Sequence, residues 1–245
     1  MVSAITDFVS WRMGLIVIGI LYLAVGIAFF MLLPKPKYQR QRQSGGLQLI
    51  KTFHTALANK KLLWIYLVAF LIMGSFVAVF NFISYVLLAP PYSLSQTVVG
   101  LLFVVYLFGT FSSTYMGRLS DQHGNGRVLI LGLLIMLTGG LLTLLQPLVF
   151  KFIGLAIFTF GMLGSHSVAC GWVGKLNHGD KAQSSSMYMF FYYAGASSLG
   201  TLGGVFLESY GWSGVIGMVA AAVIICLLVV VRLELAVSQH LLWHH

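Results

Sequence analysis

Gly117-Arg-Leu-Ser-Asp121-Gln-His-Gly124-Asn-Gly-Arg127 is a short polar stretch set between two long apolar ones, residues 98–116 before it and 128–146 after it. About 20 apolar residues in a helix cross a hydrocarbon core about 30 Å thick, so each flank is long enough to span a bilayer. The polar stretch between them, with Arg118, Asp121 and Arg127, then marks a turn in water at the membrane edge.

The same pattern extends along the whole chain. Of 245 residues, 59% are apolar and 8% are charged, against about 25% charged in an ordinary soluble domain. That composition excludes soluble, disordered and disulfide-stapled classes. Apolar windows fall at residues 13–33, 62–88, 98–116, 128–146, 152–173, 184–207 and 213–231, which predicts an all-α membrane protein with seven transmembrane helices. Pro34, Pro36, Pro90, Pro91 and Pro147 lie at or outside the window ends, where a residue without an amide donor breaks no helix. The first window is too long for a signal peptide and is followed by a basic stop-transfer run, so it is expected to stay in the membrane.

The net charge of +9 is unevenly placed. Lys35, Lys37, Arg40, Arg42, Lys51, Lys60, Lys61, Arg118, Arg127, Lys175, Lys181 and Arg232 fall on one side of the predicted membrane, and only Arg12 and Lys151 on the other. The positive-inside rule then predicts an outward amino terminus and a cytoplasmic carboxyl terminus. Within the basic segment, Leu47, Ile50, Phe53 and Leu57 recur at helical spacing, which fits a short interfacial helix and a solvated basic linker equally well. The cations read as a topology signal and a headgroup anchor, not as a nucleic-acid surface.

Polar side chains within a span mark which helices face a wet interior or a polar neighbour. The first, fourth and seventh windows hold few or none. The second holds Ser75, Asn81, Ser84 and Tyr85, and the third Thr110, Ser112, Ser113, Thr114 and Tyr115. The fifth holds Ser165, His166 and Ser167; the sixth holds Tyr188, Tyr192, Tyr193, Ser197, Ser198 and Thr201. One apolar helix in every three is the expected pattern of a bundle built from three-helix units. Ala196, Gly200 and Gly204 repeat at intervals of four and predict a helix-packing face. Gly154 with Gly161, and Gly164 with Gly171, extend that idea to the fifth window.

Asp7 and Trp11 before the first window are echoed by Glu208 and Trp212 before the seventh, an acid followed four residues on by Trp. The echo suggests that the first and seventh helices are equivalent members of two parallel repeats. The turn at 117–127 resembles the signature loop of the major facilitator superfamily: Gly117, Leu119, Asp121 and Gly124 match, while Gln122, Asn125 and Gly126 stand where the family carries cations, and Arg127 comes late. The glycine-rich stretch Gly161–Gly174, followed by Ser184–Tyr188 and Tyr192–Gly204, is similar to the tenth and eleventh helices of the YnfM-like bacterial inner-membrane efflux branch. On this resemblance the windows are helices six to twelve of twelve. Residues 1–33 would be the last helix of the amino-terminal half, 34–61 a cytoplasmic linker, 62–232 the six-helix carboxyl-terminal half, and 233–245 a cytoplasmic tail. The expected location is the bacterial inner membrane.

The resemblance implies alternating-access transport of a small organic solute by an ion-driven exporter or antiporter, with the second, third, fifth and sixth windows lining the cavity. Asn81, Tyr85, Ser165, His166, Tyr188, Tyr192, Ser197 and Ser198 are the candidate cavity residues, and Gly117, Asp121, Gly124 and Arg127 the gating motif. It also implies that Asp121 latches a helix end of the opposite half, expected as a partner in the form of a missing amino-terminal half or a second copy. His166 reads either as a proton-coupling group or as a neutral imidazole satisfied by its neighbours. No cofactor, metal site or catalytic constellation is expected: Gly124-Asn-Gly126 lacks the Lys and Ser or Thr of a phosphate loop, and His240, Trp243, His244 and His245 read as a tail. A seven-helix receptor or retinal protein is the competing class, against which stands the lack of a mid-span Lys in the last window. A non-transporting membrane subunit is the third.

Overall fold

The computed structural model describes residues 11–32, 59–176 and 181–242. The interfacial-helix segment, Asp7, most of the linker cations and the residues after Leu242 lie outside that set. Helices α1 (Trp11–Leu32), α2 (Lys60–Leu88), α3 (Tyr106–His123), α4 (Asn125–Leu142), α5 (Leu148–Leu176) and α6 (Lys181–Leu242) follow in chain order. A short helix, Gln96–Gly100, and a 3₁₀ turn, Leu101–Val105, lead into α3. At 62 residues α6 is far longer than a bilayer requires, and it breaks at Gly211 (φ 64°, ψ −158°) into two arms. Among the described residues four helices, α2, α4, α5 and α6, are long and apolar enough to cross a membrane; the third window, 98–116, is divided between the short helix, the 3₁₀ turn and the start of α3, and the last two windows are joined through one glycine whose positive φ an L side chain rarely adopts.

The turn at 117–127 is shorter than expected. Helix α3 continues through Asp121 to His123, and Gly124 alone (φ 92°) redirects the chain into α4. Ser, Asp, Gln and His in water do not terminate a helix; the positive-φ glycine does. Asn59 caps α2, its side-chain oxygen accepting from the amides of Lys61 (3.1 Å) and Leu62 (3.4 Å). Pro90 and Pro91 close the other end of α2, and Pro147 precedes α5.

Lipid supplies no hydrophobic force to draw helices together, so close backbone approach must do it. Helices α4 and α5 meet along Gly132, Gly139, Gly154 and Gly161, where a methyl on any of the four would strike the other helix. A Cβ at Gly154 would stand 2.8 Å from the Gly139 carbonyl oxygen and 2.8 Å from the Thr143 methyl. Helix α2 packs along both arms of α6. Its contact with the first arm centres on Gly74 and Gly195, where the Phe70 carbonyl fills the space a side chain would need. Of the expected face Ala196–Gly200–Gly204, Gly200 and Gly204 lie against Val77 and Phe82, and the tightest point of the contact is Gly195.

The apolar helices hold one buried and one exposed apolar face. On α4, Val128, Leu129, Leu133 and Met136 are buried while Leu131, Leu134 and Leu141 are exposed. On the second arm of α6, Val215, Val219, Val223 and Val230 are buried while Ile224, Ile225 and Leu228 are exposed. Exposed hydrocarbon of that kind faces lipid. Apart from half-buried Ile18, the described side chains of α1 are exposed, from Val17 at 50% to Phe30 at 84%.

At the end of the bundle away from Asp121 a polar knot ties three segments together. Buried Lys151 donates to the Thr143 carbonyl (2.6 Å), and its ammonium lies 5.7 Å from the Tyr92 ring centre and 5.9 Å from that of Trp212. Trp212 Nε1 donates to the same carbonyl (3.2 Å) and to the Thr143 hydroxyl (3.1 Å). The Tyr92 hydroxyl donates to the Gln146 carbonyl. Lys151 was legible only as an isolated cation; the carbonyl and the two rings that hold it come from distant parts of the chain.

Gly139→Ala is expected to lower resistance to unfolding in detergent by roughly 1–3 kcal/mol, because Phe158 backbone atoms cannot yield to the added methyl. Gly171→Ala, with nothing within 4 Å, is expected to leave it unchanged. Equal effects of the two variants in a chemical-denaturation series would remove the seam as the determinant of packing.

Candidate functional site

The polar residues of α2, α3, α5 and α6 sort into two sets by direction. Ser112 Oγ donates to the Phe160 carbonyl (2.5 Å) and Ser167 Oγ to the Ser113 carbonyl (3.0 Å), so these hydroxyls fasten α3 to α5. Gly109 and Gly164 allow that approach, each lying against a side chain of the other helix. Ser165 is fully buried, with its hydroxyl against Gly132 of α4 and without a hydrogen-bond partner among the described residues. One residue is a turn of about 100° on a helix, so Ser165 and His166 cannot share a direction.

The second set is open. Asn81, Tyr85, Thr110, Thr114, Tyr115, Tyr193, Ser197 and Ser198 are exposed, Tyr85 at 65% and Tyr193 at 63%. Asn81 of α2 stands beside Gly200 of the first α6 arm, 4.0 Å from the position of a Cβ there. These eight polar side chains come from α2, α3 and α6.

His166 reaches from α5 toward α6. Its Nδ1 lies 3.0 Å from the Tyr188 hydroxyl, and its ring centre lies 4.5 Å from that of Tyr192. Tyr188 is fully buried, His166 half-buried and Tyr192 9% exposed. The chain of rings continues through Tyr193, 5.4 Å from Tyr192, to the open face. A second aromatic group joins α2, α3 and α5: Phe76 packs against Tyr106 edge-on at 5.4 Å and against Phe158 at 6.1 Å. Tyr106 was not singled out in the sequence. Its only advance signal was an aromatic hydroxyl in the middle of the third window.

At the other functional motif, Lys175 at the end of α5 donates to Asp121 Oδ1 (3.1 Å) and to Asn125 Oδ1 (3.1 Å). Arg127 lies 4.0 Å from Glu234 of the second α6 arm, which covers Gly126. The Asp121–Lys175 pair is exposed, 73% and 55%, and so contributes at most about 1 kcal/mol. Gly117 faces Ser167 across 3.6 Å, measured from its absent Cβ, and Gly124 makes the turn itself. Gly126 has a local reason to lack a side chain, since Glu234 occupies that space. Among the described residues no group of three His, Cys, Asp or Glu side chains could hold a metal ion.

Residues 74–241 match the family model of the Major Facilitator Superfamily. The chain is 41% identical over 229 residues to the inner membrane transport protein YnfM of Escherichia coli (strain K12), covering 94% of this chain and 55% of that protein. It is 40% identical over 225 residues to the MFS-type transporter YybF of Bacillus subtilis (strain 168), covering 91% of this chain and 55% of the relative. A transporter of Buchnera aphidicola (strain Sg) is 34% identical over 232 residues. The chain belongs to the Major Facilitator Superfamily and is a multi-pass membrane protein. It spans about half the length of the curated relatives it matches.

Asp121→Asn is expected to insert in the membrane at the wild-type level and to unfold within about 1 kcal/mol of it, since the lost pair is exposed. Quantifying membrane-fraction protein after carbonate extraction checks this; loss of insertion would contradict it.

Proposed function

We propose that this chain is the carboxyl-terminal portion of an alternating-access transporter that exports a small organic solute, driven by an ion gradient. The exposed polar face of α2, α3 and the first α6 arm carries the reading. An amide and several hydroxyls facing hydrocarbon would each be costly, whereas a facing protein half and a wet cavity satisfy them. Helix α1 is then the last helix of the amino-terminal half, residues 34–61 the linker, residues 62–232 the other half and 233–245 the tail. The helix ends near Asp121 and Lys175 face the cytoplasm, and the Lys151 knot faces outward, in the inner membrane. The counterpart is an amino-terminal half or a second copy supplying an equivalent face.

In this scheme Asn81, Tyr85, Ser197 and Ser198 line the cavity with Tyr192, and a solute with apolar and hydrogen-bonding groups meets rings and hydroxyls there. His166 carries the coupling proton: Tyr188 orients the imidazole through Nδ1, and Tyr192 shields its face. Protonation at this depth places a charge in the wall between the halves and so biases which side opens. Asp121 and Lys175 hold the α3–α4 turn against α5. Their opening with the inner gate exchanges that contact for one across the halves.

The test is uptake of a panel of fluorescent organic solutes into everted vesicles, with the chain produced alone and together with an amino-terminal half. Solute accumulation that needs both pieces and collapses with a protonophore is expected. Equal accumulation by the chain alone assigns the counterpart to a second copy if the chain crosslinks as a dimer, and overturns the two-half reading if it stays monomeric. In the assembled transporter His166→Asn is expected to abolish the dependence on the proton gradient while leaving solute binding; gradient-driven transport with an unchanged pH profile would remove the coupling role.

A further inference from the structure

We propose a binding site for an anionic phospholipid between the amino end of α2 and the second arm of α6, at the membrane edge. Lys60, Lys61 and Arg232 line one cleft of about 530 Å³, whose remaining walls include Trp64, Ile225 and Leu228. The arrangement is that of a lipid: three cations at one end of a cleft that is apolar below them, opening where the helices leave the hydrocarbon. Trp64, 45% exposed, also borders a second, wholly apolar cleft lined by Leu67, Phe70 and Phe191. Two apolar grooves therefore flank one indole, as two acyl chains under one headgroup require.

The charges have no counter-ion among the described residues. Asp121 is held by Lys175 and Glu234 lies by Arg127, while Glu208 is at the opposite end of the α6 first arm. The partial positive charge at the start of α2 adds to the three cations. A phosphate oxygen pair suits Arg232 as a planar donor, with the two ammonium groups as point charges beside it. Three positive charges favour a two-phosphate lipid such as cardiolipin over a one-phosphate lipid such as phosphatidylglycerol, and either over a zwitterionic one.

Trp64 supplies the reporter. The full chain is reconstituted in phosphatidylcholine vesicles containing a small mole fraction of brominated cardiolipin, brominated phosphatidylglycerol or brominated phosphatidylcholine. Quenching due to Trp64 is obtained by difference from Trp64→Phe. The expected order is cardiolipin, then phosphatidylglycerol, then phosphatidylcholine. Arg232→Gln should lower the cardiolipin preference about fivefold, and the Lys60→Gln/Lys61→Gln/Arg232→Gln variant about a hundredfold, at about fivefold per cation. Arg232→Gln alone keeps the lysines that set topology, so it reports even where the triple variant inserts poorly. Equal quenching by anionic and zwitterionic lipid, or a preference unchanged in Arg232→Gln, overturns the site. Displacement by millimolar inorganic phosphate assigns it to a free anion instead, and quenching that falls only as the protein is concentrated assigns the face to a second copy; each overturns the lipid reading.

Discussion

Helices in a bilayer are already surrounded by apolar atoms, so what brings two of them together is how closely their backbones can approach. Here that constraint is met by glycine. Gly132, Gly139, Gly154 and Gly161 clear the ground between α4 and α5, and Gly74 and Gly195 do the same between α2 and α6. Once those seams close, the rotation of each helix is set, and with it the direction of every other side chain. The buried hydroxyls of Ser112 and Ser167 then find carbonyls across α3 and α5, which adds roughly 0.6 kcal/mol per bond in a membrane. The open polar face of Asn81, Tyr85 and Ser197 is the complement of the same packing.

Polar groups in the bundle thus serve distinct ends according to depth and direction. Thr143, Lys151 and Trp212 form a closed knot in which a charge is held by a carbonyl and two rings. At the other end, Asp121, Lys175, Asn125, Arg127 and Glu234 make an exposed set with little energy in any one contact. A strong, dry tie at one end and weak, wet ones at the other give the bundle unequal ends.

The lipid-facing surface is not uniform either. Most of it is Leu, Ile and Val with no positional meaning beyond solubility in hydrocarbon. Where α2 and the second α6 arm diverge near Trp64, cations stand over an apolar groove. Charge and shape coincide there, and a headgroup with two acyl tails satisfies both.

How much of this was legible in the chain follows from what each signal measures. Hydropathy and charge report the surrounding medium, so an all-α membrane protein and most of its long apolar helices could be read without coordinates, whereas the third window, 98–116, missed the ends of α3, which runs from Tyr106 to His123. Gly117, Asp121 and Gly124 carried the family. The direction in which a helical residue points turns by about 100° per position, and neighbouring helices alone select it. For that reason Ser165 and His166, adjacent in sequence, part ways: one is sealed against Gly132, the other meets Tyr188. For the same reason the closest point of the α2–α6 seam falls at Gly195, and Lys175 and Lys151, read as topology charges, acquired partners 54 and 8 positions away. Composition determined that this polypeptide lives in lipid; contact between helices decided which of its polar groups are structure and which remain open, because burial depends on neighbours that no local pattern contains.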